Sequence, residues 1–144
     1  MKSTHATHSA QETEGIGEAL GKQLRGGEVI ELSSDLGGGK TTFVRGLARG
    51  AGSQDRVASP TFTISKIYDA PHFSIHHFDF YRLQEPGLIR HELEDVLGDP
   101  GIVTIIEWSA IIADVLPPGV IKVAITSHGE NDRTILIDKP GSDN

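Results

Sequence analysis

Apolar residues with helical spacing define two segments near the start of the chain. The first opens with Ser9-Ala10-Gln11-Glu12, which is typical of a capping box, and its buried face comprises Ile16, Leu20 and Leu24. Gly26 and Gly27 mark its end. The second follows a loop of glycines, and one of its faces collects Phe43, Val44, Leu47, Ala48 and Ala51. The pattern therefore predicts two amphipathic helices.

Shorter apolar runs predict strands that alternate with these helices. Residues 29–32 precede the second helix, and residues 102–106 form the most apolar run, which we interpret as a central strand. Residues 62–68 and 73–80 predict a hairpin, residues 88–97 a short acidic helix, and 120–126 with 133–137 a terminal hairpin at the sheet edge. We therefore predict an α/β fold in three α/β/α layers. Its mixed sheet has a parallel core and an antiparallel edge hairpin.

Length and composition indicate one acidic domain. We predict a disordered tail over residues 1–8, a single domain over 9–139 and a polar tail over 140–144. Twenty acidic residues against 13 lysines and arginines give a net charge of −7, which argues against a basic surface that grips nucleic acid. The absence of cysteine excludes disulfides, thiolate chemistry and cysteine-ligated zinc. No membrane-spanning run or signal-peptide pattern is present, so we expect a cytoplasmic protein without membrane contact.

The segment before the second helix carries the strongest chemical signal. Asp35-Leu36-Gly37-Gly38-Gly39-Lys40-Thr41-Thr42 follows a predicted strand and opens a helix, which is the context of a phosphate-binding P-loop. Glycines let backbone N–H groups approach a phosphate, and the helix N-terminus adds the positive end of its dipole. We expect Lys40 to reach the β- and γ-phosphates of a nucleotide and the Thr41 hydroxyl to ligate Mg²⁺.

One position departs from the P-loop pattern. The pattern places glycine six residues before the lysine, where this chain has Ser34. Serine pays a steric penalty at positive φ, so the backbone geometry of Ser34 decides whether the departure matters.

Two carboxylates compete for the metal. Asp79 lies near the end of the strand predicted over 73–80, and Glu107 directly follows the run 102–106. Ligands of open α/β sheets bind outside the carboxyl ends of such strands. Either carboxylate can hold Mg²⁺ while the other orients a water, and the residues alone leave both assignments open. Trp108 has two interpretations, as a packing residue or as an indole that stacks on a nucleotide.

Thr61 also has two interpretations. Pro60 keeps Ser59 out of helical geometry, so Thr61 begins an extended segment directly after a turn. A threonine in such a loop can sense the γ-phosphate and its Mg²⁺. A threonine that merely starts a strand fits the spacing equally well.

Four motifs in this order resemble one family. They are residues 35–42, Ser59-Pro60-Thr61-Phe62, His77-Phe78-Asp79-Phe80-Tyr81-Arg82 and Ile106-Glu107-Trp108. From about Ser9 to Ile125 the chain resembles TsaE (older name YjeE), the small bacterial ATPase of tRNA threonylcarbamoyladenosine synthesis. Ser34 and Gly38 stand where that family usually has glycine and alanine.

The resemblance implies a function. It implies a protein that binds ATP and Mg²⁺, hydrolyses ATP slowly and supports threonylcarbamoyl modification of adenosine 37 in tRNA. It implies TsaD and TsaB as protein partners and contact with tRNA only through their complex. By the same resemblance the P-loop residues bind phosphates and Mg²⁺, and Asp79 and Glu107 serve the metal and hydrolysis. The resemblance also implies that Thr61 lies in a switch-like loop, Thr13 near the base and Trp108 beside the site.

Other uses of a P-loop remain as alternatives. A small-molecule kinase needs arginines on a mobile lid, and only Arg82 and Arg90 stand in suitable segments. A GTPase-type switch would use Asp95-Val96-Leu97-Gly98, but no N-K-x-D run is present to recognise guanine. A nucleotide-binding subunit without meaningful turnover differs from an ATPase only in rate. Because the sequence shows no arginine finger, we expect slow turnover by the isolated protein.

Overall fold

Strands and helices alternate along the chain. The computed structural model describes residues 2–34, 39–57, 65–79, 86–107 and 116–140. In chain order the elements are β1 (Lys2–Thr7), α1 (Ala10–Gln23), β2 (Val29–Ser34), α2 (Lys40–Gly50), β3 (Ser65–Asp69), β4 (Ser74–Asp79), α3 (Pro86–Val96), β5 (Ile102–Glu107), β6 (Ile121–Ser127) and β7 (Arg133–Asp138). No helix within these described ranges is long and apolar enough to cross a membrane.

A seven-stranded mixed sheet forms the centre of the molecule. Its order is β1-β7-β6-β2-β5-β4-β3. Strands β6, β2, β5 and β4 are parallel neighbours, whereas β3, β7 and β1 pair antiparallel. The predicted α/β fold, with a parallel core and antiparallel additions, is confirmed. Because the four core strands are parallel, their carboxyl ends meet at one edge of the sheet.

Helices cover both faces of the sheet, which gives the three predicted layers. Helices α1 and α2 pack on one face, in a core that includes Leu20, Phe43, Leu47, Ile105 and Val123. Helix α3 packs on the other face, where the buried cluster is Val29, Phe78, Leu93 and Ile106. Ile105 and Ile106 are adjacent on β5 and are both fully buried, one in each core. This two-sided burial explains why the β5 run is continuously apolar.

Helices α1 and α2 approach each other closely because glycines face the backbone of the partner helix. The glycines in this contact, which we call the glycine seam, are Gly17, Gly21, Gly46 and Gly50. A Cβ atom on Gly46 would lie 1.9 Å from the carbonyl oxygen of Glu14, so no larger side chain fits there without a shift of the helices. Arg49 bridges Glu14 and Glu18 at the surface of the seam. The first turns of the two helices are thereby held side by side.

The first residues of the chain correct two expectations. We predict a disordered tail over residues 1–8, but Lys2–Thr7 form β1, which pairs with β7 along its whole length. Most β1 side chains are exposed and only Thr7 is buried, so this edge strand carries no hydrophobic signal. Since β1 covers β7, the hairpin of β6 and β7 lies one strand inside the edge, and its predicted edge position is wrong.

The predicted start of α1 is confirmed. Ser9 is its N-cap, and its Oγ accepts a hydrogen bond of 3.1 Å from the N–H of Glu12. The Glu12 carboxylate in turn accepts from the N–H of His8 at 2.7 Å. These bonds satisfy N–H groups that have no partner within the helix.

Candidate nucleotide site

The P-loop lysine and threonines lie in the first turn of α2. Gly39 precedes them as N-cap in the left-handed conformation, with φ 97° and ψ 23°, which glycine adopts without steric cost. Gly39 supplies no side-chain cap to the first N–H groups of α2. A helix N-terminus of this kind attracts an anion through its N–H groups and its dipole. The predicted ligands Asp35, Leu36, Gly37 and Gly38 lie outside the described residues.

Ser34 is an ordinary residue of β2. It pairs with Ile125 of β6 in parallel register, which requires extended backbone geometry and not a positive φ. The steric penalty considered from the sequence therefore does not arise at Ser34. The left-handed conformation is found instead at Gly39, directly before α2.

Three ionisable side chains meet where α2 begins beside β4 and β5. The Lys40 Nζ atom lies 3.4 Å from Glu107 Oε1, and His77 Nε2 lies 2.5 Å from Glu107 Oε2. The side chains of His77 and Glu107 are only 1% and 3% exposed, and that of Lys40 is 20% exposed. A carboxylate this buried is stable only when its oxygens have partners, and here each oxygen has one.

Asp79 stands opposite Glu107 in the parallel pair of β4 and β5. Paired residues of neighbouring strands point to the same face of a sheet, so both carboxylates lie on the face that α1 and α2 cover. The structure thus places Asp79 and Glu107 at one sheet edge, with Lys40 in contact with Glu107. Which of the two carboxylates binds the metal and which orients the water stays a prediction.

A small cleft opens beside the first turns of α1 and α2. Its volume is about 70 Å³, and it is lined by Ala10, Thr13, Gly39, Thr42, Glu130, Asn131 and Arg133. Thr13 is 2% exposed, and its Oγ1 lies 2.7 Å from Oγ1 of Thr7. The helix start that the sequence analysis places near the base is therefore adjacent to the P-loop.

The turn between β6 and β7 forms one wall of this cleft, which no motif in the sequence indicates. Arg133 Nη1 donates hydrogen bonds of 2.9 Å to the carbonyl oxygens of Gly129 and Asp132. A Cβ atom on Gly39 would lie 3.7 Å from Arg133 Nε, so this guanidinium stands beside the P-loop. Strand β6 runs parallel to β2, so the turn after β6 lies at the same sheet edge as the loop after β2. Only the strand order reveals this proximity.

Comparisons with known proteins identify the family of this chain. The family model described as "Threonylcarbamoyl adenosine biosynthesis protein TsaE" matches residues 7–135. The chain belongs to the TsaE family. It is 36% identical over 138 residues to the tRNA threonylcarbamoyladenosine biosynthesis protein TsaE of Rickettsia typhi, with 94% of each chain covered. It is 34% identical over 140 residues to that of Bacillus subtilis, which covers 94% of this chain and 85% of the relative.

A solved structure supports the same fold. The crystal structure of Bacillus subtilis YdiB superposes with a TM-score of 0.76 and 29% sequence identity, over 98% of this chain and 87% of that one. The TsaE resemblance seen in the four sequence motifs is therefore confirmed.

An exposed ion pair joins the start of α1 to the wall of the cleft. His8 Nδ1 lies 3.0 Å from Asp132 Oδ1, in the turn between β6 and β7. The hydrogen bond to Asp132 and its charge raise the pKa of His8 above 6.5, with a smaller contribution from Glu12. This contact ties the cleft wall to α1 most strongly when His8 is protonated.

Several residues considered from the sequence are not part of this arrangement. Thr61, Trp108 and Arg82 lie outside the described residues, so their predicted roles stay predictions. Arg90 belongs to α3, which covers the opposite face of the sheet from α2. The Asp95–Gly98 spacing falls at the end of α3, where Gly98 has φ 86°, and does not follow a strand as a GTPase switch would.

Proposed function

We propose that this protein binds and slowly hydrolyses ATP in support of threonylcarbamoyl modification of adenosine 37 in tRNA. Its membership of the TsaE family supports the pathway, since its relatives are named for tRNA threonylcarbamoyladenosine biosynthesis. The observation that carries the ATP part is the contact between Lys40, in the first turn of α2, and the buried carboxylate of Glu107.

The beginning of α2 is suited to the phosphates of a nucleotide. Lys40 is within reach of Glu107, but at 3.4 Å the contact is longer than the roughly 2.7–2.9 Å of a strong charge-assisted hydrogen bond. We expect its ammonium to turn from this contact to the β- and γ-phosphates when a nucleotide binds. The N–H groups after Gly39 and the hydroxyls of Thr41 and Thr42 complete the described part of the phosphate site.

The carboxylates at the ends of β4 and β5 are suited to Mg²⁺ and to the attacking water. Mg²⁺ is usually held by one or two carboxylates together with phosphate oxygens and water, and when bound it neutralises charge on the transferring phosphoryl group. Within the described ranges no three His, Asp or Glu side chains form a metal site alone. A pair of carboxylates with Thr41 and the nucleotide fits this arrangement. Asp79 and Glu107 both remain candidates for binding the metal and for orienting the attacking water.

The cleft between α1 and the turn after β6 is suited to the nucleoside. It adjoins Gly39 and Thr42, so a nucleotide whose phosphates lie on α2 extends naturally into it. Thr13 is one of its lining residues, and Arg133 adds a positive charge near the P-loop. The guanidinium of Arg133 is bonded to carbonyl oxygens of its own turn, and we keep the expectation that the isolated protein turns over slowly.

The proposed partners are TsaB and TsaD. This rests on family membership in the threonylcarbamoyladenosine pathway. The net charge of −7 agrees with contact to tRNA through that complex and not through this chain itself.

The test is Mg²⁺-dependent binding and hydrolysis of ATP by the purified protein, with the products separated. We expect ATP to bind and ADP with free phosphate to accumulate slowly, without transfer to an added metabolite. Failure to bind ATP would overturn the P-loop assignment. Stoichiometric transfer of the phosphoryl group to a small-molecule acceptor would establish the kinase alternative in its place.

A further inference from the structure

His77 is a buried histidine for which the proposed reaction assigns no role. It lies on β4 with 1% of its side chain exposed, and the ring of Tyr68 packs beside it with 6.3 Å between ring centroids. Its Nε2 lies 2.5 Å from Glu107 Oε2, whereas its Nδ1 has no hydrogen-bond partner among the described residues. An apolar side chain would fill this position without burying a polar atom that lacks a partner, so packing alone does not explain a histidine here.

The contacts of the ring determine the direction of the hydrogen bond. An ionised carboxylate only accepts hydrogen bonds, so the hydrogen between the two side chains belongs to His77 Nε2. A hydrogen on Nδ1 would be a buried donor without an acceptor, which is costly. The structure therefore favours the Nε2–H tautomer, with Glu107 Oε2 as its acceptor.

This bond fixes the orientation of a group that otherwise rotates easily. The terminal torsion of a glutamate is broad, so the burial of Glu107 alone does not decide where its two oxygens point. With Oε2 held by His77, Oε1 faces Lys40 at 3.4 Å. That is the direction of the phosphate site at the start of α2.

We propose that His77 is a positioning residue, which holds Glu107 Oε2 so that Oε1 faces Lys40 and the Mg²⁺–phosphate group of the nucleotide. This inference rests on the proposed function. Hydrogen bonds to metal-binding side chains typically change metal affinity or activity by about 10–100-fold. We expect the lower end of that range.

The experiment compares His77→Leu with His77→Gln. Leucine fills the space without a donor, whereas glutamine places an amide N–H near the position of Nε2. With a non-hydrolysable ATP analogue present, Mn²⁺ titration followed by electron paramagnetic resonance gives the metal affinity. We expect His77→Leu to weaken Mn²⁺ binding about 10-fold and His77→Gln to restore most of it. The affinity for the analogue in EDTA should be unchanged in both variants, because the donor acts through the carboxylate.

A second measurement needs no nucleotide. A long-range ¹H–¹⁵N spectrum of the ligand-free protein reports which ring nitrogen of His77 carries the hydrogen. We expect an Nε2–H signal with a strongly downfield proton, which moves upfield in Glu107→Ala. An Nδ1–H tautomer, or a signal that Glu107→Ala leaves in place, would overturn the positioning contact even if His77→Leu fails to fold.

The outcomes separate the two proposals. Equal Mn²⁺ affinities of wild type and His77→Leu, with the analogue bound to both, would overturn the role of His77 and leave the ATPase proposal intact. Failure of the wild type to bind the analogue with Mn²⁺ would overturn the proposed function and the role of His77 with it.

Discussion

The two ends of the candidate site differ in burial and charge. At the phosphate end, Lys40, Glu107 and His77 form a chain of ionisable groups, two of which are almost completely buried. At the nucleoside end, the cleft beside Thr13 and Arg133 is open and lined by small, polar and charged residues of three separate segments. Removing one member of a buried charged set leaves its partners uncompensated, whereas removing one contact from an open cleft is much less costly. We therefore expect the rate of ATP hydrolysis to depend on the buried charged residues. Substitutions in the open cleft should change mainly the affinity for the nucleotide.

The largest effect is expected for Lys40→Ala. Without the ammonium, the phosphate end loses its cation and Glu107 loses the partner of Oε1. We expect nucleotide affinity to fall by about 100-fold or more, from the loss of charged hydrogen bonds. Titration of a fluorescent ATP analogue measures it. Lys22→Ala is the matched control, because Lys22 is an exposed lysine of α1 whose ion pair in the described part of the chain is with Glu18 at 3.8 Å. Unchanged affinity in Lys40→Ala would contradict the P-loop assignment.

Glu107→Ala should separate binding from chemistry. Glu107 is buried at the end of β5, where it contacts Lys40 and His77. We expect Glu107→Ala to lose some stability but to fold and to bind ATP. Hydrolysis should fall by about 100-fold or more, as for loss of a group that activates water or holds the metal. Phosphate release under saturating ATP measures this. Asp79→Ala is the comparison that assigns the two carboxylates, since the paired positions share one sheet edge. Full turnover in Glu107→Ala would remove it from the mechanism.

The glycine seam that holds the two ends in register is tested by Gly46→Ala. The added Cβ would meet the carbonyl oxygen of Glu14 at 1.9 Å, and we expect a loss of about 1–3 kcal/mol in the free energy of unfolding. Urea unfolding measures it. Gly15→Ala is the matched control in α1, where a Cβ meets nothing within 4 Å, and we expect a gain of about 0.5–1 kcal/mol there. Similar responses of the two variants would show that the helices tolerate a wider separation.

A smaller effect is expected at the nucleoside end. Thr13→Val removes the hydroxyl of a residue that lines the cleft, and this hydroxyl lies 2.7 Å from that of Thr7. We expect nucleotide affinity to fall about 5-fold, from the loss of one neutral hydrogen bond, with the turnover rate unchanged. Thr7→Val breaks the same hydrogen bond from the side that does not line the cleft. Thr7→Val should lower thermal stability about as much as Thr13→Val but leave the nucleotide affinity unchanged. A loss of affinity in both variants would show that the effect of Thr13→Val comes from the lost contact with Thr7.

The smallest expected effect concerns pH. Since Asp132 raises the pKa of His8 in the folded protein, the contact stabilises fully below the unfolded value of 6.5 and is lost as pH rises through the folded pKa. We expect the wall of the cleft to be held less firmly above that range, with little change in overall stability because both side chains are exposed. NMR titration of His8 in wild type and Asp132→Asn measures the pKa. A pKa that does not fall toward 6.5 in Asp132→Asn would contradict the assigned cause.

The sequence predicts the phosphate end better than the nucleoside end for a physical reason. Strand, glycine loop, Lys40 and helix are contiguous, and Glu107 follows the most apolar run, so local pattern is sufficient to find them. The cleft depends on β6 lying beside β2, which brings Arg133 to Gly39 from 94 residues further along the chain (133 minus 39). Periodicity contains no information on strand order, so this wall was not predictable.

Two further features show where pattern fails. Strand β1 is stabilised by backbone pairing with β7 and buries little, so its polar sequence is typical of a tail. The glycine seam left a visible signal, because glycines recur four residues apart in both helices, at 17 and 21 and at 46 and 50. That spacing indicates close packing only once the two helices are known to be neighbours.

The most direct test of the proposed function is the rate of ATP hydrolysis by the purified protein, measured alone and after addition of TsaB and TsaD. We predict a slow basal rate that changes when both partners are present, and the loss of this response in Lys40→Ala. A protein that binds ATP but neither associates with TsaB and TsaD nor changes its turnover in their presence would contradict the proposal.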